Sequence, residues 1–186
     1  MATFTDTHRS DFNYNNNGRL GSFADILWRD QAGDTVLWLM TNNVLFGQFS
    51  SATLPFVTPD WHFKAAAEFQ VFGSSGSSGN ADILWQNDNG ALALWQVDGT
   101  TVTAINALPN PGPTWHVVGD NDFNGDRGDD ILFQNDNGAL AMWSGIDPAT
   151  GTVSNMWAGT QNPGPTWHVV GTGDTKGFNT ITAGIL

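Results

Sequence analysis

Asp122-Phe123-Asn124-Gly125-Asp126-Arg127-Gly128-Asp129-Asp130 runs directly into the strand-like segment Ile131-Leu132-Phe133. Oxygen-bearing side chains stand at relative positions 1, 3, 5 and 9 of this stretch, namely Asp122, Asn124, Asp126 and Asp130. Position 7 is Gly128, which can add a backbone carbonyl. Gly125 and Gly128 allow the chain to fold tightly between them. Carboxylates aimed at one point repel one another unless a cation sits there. Hard oxygen donors without His or Cys suit Ca²⁺ best. An EF-hand loop is excluded, because position 12 is Phe133 and not a bidentate Glu. The alternative is an Asx-rich turn with no ion, a common use of Asp, Asn and Gly.

Working outward, the segment after the loop proves to be one of three copies. Asp25-Ile26-Leu27-Trp28 recurs as Asp82-Ile83-Leu84-Trp85 and as Asp130-Ile131-Leu132-Phe133, a period of 48 to 57 residues. Gln86–Ala93 is repeated without change at Gln134–Ala141, and Asn110–Gly119 at Asn162–Gly171. Trp61-His62 recurs as Trp115-His116 and Trp167-His168. Periods of this length mark solenoid or propeller units. The units span about 1–57, 58–111 and 112–163, with 164–186 a partial fourth unit or closing strands.

Each unit reads as four short strands. In the third they are Trp115–Val118, Asp130–Gln134, Ala139–Trp143 and Val153–Trp157. Asn89-Gly90 and Asn137-Gly138 supply hairpin turns between the second and third strands. Pro-Gly-Pro excludes helix at the links between units. In Ala91-Leu92-Ala93-Leu94-Trp95 both faces are apolar, as in a strand covered on both sides. The expected fold is therefore all-β, with about three four-stranded propeller-type blades.

Composition narrows the function. The chain has 186 residues and a formal net charge of -12, and of its 18 acidic residues Glu68 alone is a Glu. Asp favours turns, so the acidity lies in loops. Six scattered Lys and Arg disfavour nucleic acid and anionic membrane surfaces as partners. The absence of Cys excludes disulfides and thiolate metal sites. No apolar run of about 18 residues spans a membrane, and Met1–Ser10 lacks the apolar core of a signal peptide.

The pattern Asp-Phe-Asn-Gly-Asp followed by Asp-Ile-Leu-Trp, a hairpin and a Trp resembles the FG-GAP/VCBS-type repeats of bacterial surface and secreted proteins, which are related to the blades of integrin α-subunit propellers. The resemblance extends from about Asp11 to Gly173 and is most specific in the third unit. It implies β-propeller blades, a secreted or cell-surface location, and calcium held between the first and second strands of a blade. It places the ligands at Asp122, Asn124, Asp126, the Gly128 carbonyl and Asp130. It does not imply one activity, since such blades serve adhesion, glycan binding and scaffolding.

The other loops depart from this pattern. Asp25 lies 14 residues after Asp11, whereas Asp130 lies eight after Asp122. Asp11, Asn13, Asn15 and Asp25 could form a remodelled second metal site. The second unit carries Gly73–Gly79, an uncharged Gly-Ser stretch with the composition of a flexible linker. After Asp174 the fourth loop places Lys176 and Phe178 at ligand positions, where an ammonium would replace a cation or exclude it.

Nine Trp invite a sugar-binding reading. Trp28, Trp38, Trp85, Trp95 and Trp143 recur mid-strand, where blade cores form. Trp61, Trp115 and Trp167 begin strands after Pro and are the candidate ligand-binding aromatics, and their His neighbours are expected to hydrogen-bond adjacent loops. No Gly-x-Ser-x-Gly or His-Glu-x-x-His motif occurs. The expectation is a non-catalytic recognition or scaffold module for glycans or a surface protein. The alternative is a carbohydrate-active enzyme, a glycoside hydrolase or lyase, using loop Asp residues. Three blades are too few for an ordinary closed propeller. The chain is expected either to associate with itself or to be one part of a larger propeller. Met1–Ser10 and Thr180–Leu186 offer spare strands for exchange.

Overall fold

The computed structural model describes residues 12, 25–40, 49–70 and 80–173. Among these residues eleven strands form three antiparallel sheets, and there is no helix. The first sheet has the order β1-β2-β3 (Ile26–Arg29, Thr35–Met40, Phe49–Leu54). The second has the order β4-β5-β6-β7 (Trp61–Ala67, Asp82–Asn87, Leu92–Asp98, Thr101–Leu108). The third is its sequential equivalent, β8-β9-β10-β11 (Trp115–Asn121, Asp130–Asn135, Leu140–Asp147, Thr152–Ala158). Each sheet is a meander, in which every strand pairs with its neighbours in sequence.

Local chemistry makes the meanders. At the β5–β6 turn, Gly90 N donates to Asn87 O at 2.9 Å and the Asn87 side-chain oxygen accepts from Asn89 N at 3.1 Å. Gly90 has φ 88°, and a Cβ there would stand 2.3 Å from the Gly112 carbonyl. Gly138 repeats this against Gly164, with φ 89° and the same 2.3 Å. A side chain at either position would meet both a strained backbone and a neighbouring turn. The turns they touch are themselves copies, since Asn110 Oδ1 accepts from Gly112 N and Asn162 Oδ1 from Gly164 N, each at 2.8 Å.

The core lies between the sheets. Leu37, Leu39, Leu54 and Val57 pack with Phe12 against Ile83, Trp85, Trp95 and Val97. From its other face the second sheet presents Leu84, Leu92 and Leu94, with Phe69, to Val117, Ile131, Phe133 and Trp143. All six residues of β5 are buried, because the second sheet is covered on both faces. Each such apolar side chain contributes about 1.5–3 kcal/mol relative to exposure.

The first sheet has three strands among the described residues, and the rest of its unit lies outside them. Two expectations need correction. The strands of the third sheet run longer than the apolar segments, because polar residues such as Gly119-Asp120-Asn121 still pair with Leu132, Ile131 and Asp130. Trp28 is not core: it is 48% exposed, although Trp85, its counterpart, is 1% exposed. Trp28 faces outward from the end of the stack, where no sheet of the described residues covers it. No described helix is long and apolar enough to cross a membrane.

Candidate functional site

The Asp122–Asp130 loop joins β8 to β9 and is built from its own side chains. Asp122 Oδ1 accepts from Gly125 N and Asp126 N at 2.7 and 3.0 Å, and its Oδ2 accepts from Arg127 N at 3.0 Å. Arg127 takes φ 75°, an uncommon backbone for a non-Gly residue. Asp126 Oδ1 accepts from Gly128 N at 2.9 Å. Asp130 Oδ2 accepts from Phe123 N and Asn124 N at 3.0 and 3.1 Å, tying the start of β9 back to the loop. The Asn124 amide donates to Asp126 Oδ2 at 2.9 Å and to Asp130 Oδ1 at 3.3 Å, so its NH₂ stands between two carboxylates.

The electrostatics of this loop are unfavourable. Burial pushes the Asp130 carboxyl up to about 6, with the charges of Asp126 and Asp122 adding to it. Amide hydrogen bonds from Phe123 and Asn124 oppose that rise. Burial likewise pushes Asp129 up to about 7, with Asp120 the foremost like charge. Asp129 also joins two units: its N donates to Glu68 O at 2.8 Å and its Oδ2 accepts from Glu68 N at 3.1 Å. Among the described residues no three His, Asp or Glu side chains converge as a metal-holding group.

Asp25 and Asp82 hold the positions of Asp130 in the other units and do related work. Asp25 accepts from Phe12 N at 2.9 Å and from Met40 N at 2.8 Å. Amides of Phe69 and Val97 do the same for Asp82. Burial raises Asp82 well above the usual carboxylate range despite these bonds. Of the second candidate metal set, Asp25 alone is described. Asp11, Asn13 and Asn15 lie outside the described residues, as do Gly73–Gly79, Lys176 and Phe178.

A second group of residues recurs at the opposite strand ends, about 17 Å away along β9. His62 Nε2 meets Asp88 Oδ1, and His116 Nε2 meets Asp136 Oδ1, each at 2.7 Å. Both Asp residues sit in the Asn-Gly hairpin turns, so each His spans from the first strand of its sheet to the tip of the next hairpin. The three candidate aromatics diverge. Trp61 and Trp115 are partly buried against the two core clusters, whereas Trp167 is 67% exposed. A cleft of about 250 Å³ opens there, lined by His116, Asn135, Asp136, Pro165, Trp167 and His168.

Gln134, not foreseen from the sequence, positions this cleft by a contact that Gln86 makes one unit earlier. Gln86 Nε2 donates to Trp115 O at 2.8 Å, and Val117 N donates back to Gln86 Oε1 at 3.0 Å. Gln134 holds Trp167 O and Val169 N in the same way, at 2.7 and 3.1 Å. Its signal was present, since Gln opens the block that is repeated without change. Arg29 occupies this place in the first unit and donates to Val57 O and Thr58 O.

No family model, no curated protein and no solved structure matches the chain.

Proposed function

We propose that this chain is a non-catalytic, propeller-type repeat module of the FG-GAP/VCBS kind that recognises glycans at the Trp167 cleft, with calcium held in the Asp122–Asp130 loop at the opposite strand ends. The observation that carries the glycan reading is the cleft itself. An exposed Trp face lies beside a His–Asp pair, an Asn and a second His. A sugar ring offers an apolar face for stacking and hydroxyls at its edge. The indole meets the first need, and His116, Asp136, Asn135 and His168 meet the second. A pocket near 250 Å³ lies just below the usual range of about 300–1,000 Å³, which suits a small polar ring. The repetition of the His–Asp pair on two sheets favours recognition over catalysis, because a unique active site has no reason to recur.

The donor set of the acidic loop fits calcium. Every candidate ligand is an oxygen, and Asp130 is held by burial and like charge in an unfavourable ionised state. The NH₂ of Asn124, between Asp126 and Asp130, places the positive edge of an amide where positive charge is called for. Asp122, Asn124, Asp126, Asp130 and the Gly128 carbonyl would hold the ion. Bound calcium would supply the positive charge that lets these carboxylates stay ionised together.

The test is a glycan array followed by titration of intrinsic Trp fluorescence with each binder. A shift on binding that disappears in Trp167→Ala supports the reading. No binding by any glycan at millimolar concentration returns the module to a scaffold role.

A further inference from the structure

We propose that the two ends of the sheet stack recognise each other between copies, the β1 edge of one chain pairing with the Trp167–Gly173 segment of another to form a head-to-tail assembly. Each seam inside the chain has an aromatic from the following sheet and a loop Phe from the preceding unit, and between the second and third sheets Gln86 of the preceding sheet also clasps the first strand, β8.

Trp167–Gly173 has the place of a first strand. Gln134 clasps it as Gln86 clasps β8, and Thr172 Oγ1 donates to Asp120 O at 2.9 Å. Yet it pairs with no strand among the described residues. At the other end of the stack the reverse holds. β5 pairs with β4 and β9 with β8, but the corresponding edge of β1 has no strand beside it among the described residues. Among the described residues, one end presents a first strand without a sheet, and the other a sheet without a first strand.

The side chains match in the same sense. At the seam between the first two sheets Phe12 is packed in one cluster with Trp85, both 1% exposed. At the next seam Phe69 is clustered with Phe133, again both 1% exposed. The series leaves over one Phe and one aromatic strand residue. Phe123, next after Phe12 and Phe69, is 41% exposed at one end. Trp28, which precedes Trp85 and Phe133 in their series, is 48% exposed at the other. A second copy supplies Trp28 to Phe123 and completes a third seam of the same composition. Such a contact is heterologous, and it closes into a ring where the rotation between copies allows. The register follows from the β8–β9 pairs His116↔Gln134 and Val117↔Phe133, which set His168 opposite Arg29 and Val169 opposite Trp28.

The experiment uses the whole chain and complementary variants. Light scattering after size exclusion should give two or more times 20.0 kDa for the unmodified chain. Trp28→Glu and Phe123→Glu should each run as folded monomers, since each spoils one end. Mixed together they should form a dimer, because the intact end of one fits the intact end of the other. The chain has no Cys, so Arg29→Cys and His168→Cys can be combined cleanly. The disulfide should join the two different variants and neither variant to itself. If Trp28→Glu fails to fold, the cysteine pair decides the matter alone. A monomeric unmodified chain, a mixture that stays monomeric, or a cross-link absent between the cysteine variants overturns the proposal. So does a monomer that associates only after residues 1–10 are deleted, because the β1 edge would then be covered by its own chain.

Discussion

Gln134 clasps Trp167 through its side-chain amide, donating from Nε2 to the Trp167 carbonyl at 2.7 Å. The same amide, at Gln86, clasps Trp115 at 2.8 Å. A side chain therefore stands in for backbone pairing where one sheet hands the chain to the next. Gln86 is 3% exposed, and its loss would leave Trp115 O and Val117 N without the bonds it makes to them. Gln86→Leu should cost about 2–4 kcal/mol, the penalty for two buried groups left unbonded. Gln134→Leu should cost less, because its strand lies at the end of the stack, but it should red-shift Trp fluorescence as Trp167 is released. Urea denaturation of both variants checks the order.

Calcium should stabilise the chain. A loop of this kind is expected to bind in the weak range, with Kd about 10⁻⁴ to 10⁻³ M. At about ten times Kd the gain is about 1.4 kcal/mol, which raises Tm by roughly 3–6 °C for a chain of this size. Asp126→Ala should remove most of that gain. Calorimetry that finds no heat of binding at millimolar calcium would end the metal reading.

Stability in chelator should fall as pH rises from about 5 to about 7.5. The folded carboxyls of Asp129 and Asp130 lie near 7 and near 6, and Asp82 is also raised. A raised carboxyl makes the folded chain bind more protons than the unfolded one. The stability it lends is complete below the unfolded value and is lost as pH passes the folded value. Each pH unit separating the two values is worth about 1.4 kcal/mol. Asp129→Asn keeps an acceptor for Glu68 N and should flatten the profile between about pH 5 and 7.5. Denaturant midpoints across this range give the answer, and a flat profile for the unmodified chain contradicts it.

Gly90→Ala should be among the most damaging single changes. It combines a φ of 88° with a Cβ 2.3 Å from the Gly112 backbone, and backbone cannot swing aside. A loss above about 2 kcal/mol is expected. Gly99→Asn is the control, since Gly99 has φ 56° with open space around its would-be Cβ, and Asn tolerates that region. Thermal melts of the two variants should differ widely, and equal losses would show that the seam between the turns is not tight.

The local half of this fold is readable in the chain. Asn-Gly turns, the Asp that opens β5 and β9, and the doubly apolar β6 each act within a few residues, so their sequence carries their structure. The Asp122–Asp130 loop is legible for the same reason: its side chains bond amides two to seven residues away. Assembly is different. Asp25-Ile26-Leu27-Trp28 and Asp82-Ile83-Leu84-Trp85 are the same four letters, yet Trp28 is 48% exposed and Trp85 1%. Phe69 and Phe123 begin equivalent loops, and they are 1% and 41% exposed. Trp115 and Trp167 sit in identical ten-residue blocks, but β9 pairs with the first and no described strand with the second. Burial is a property of what packs against a face, and a repeat presents the same face whether or not a neighbour is there. The sequence therefore determines each sheet and its turns. The stacking of one sheet on the next decides which aromatics become core and which stay open to a ligand or a second copy.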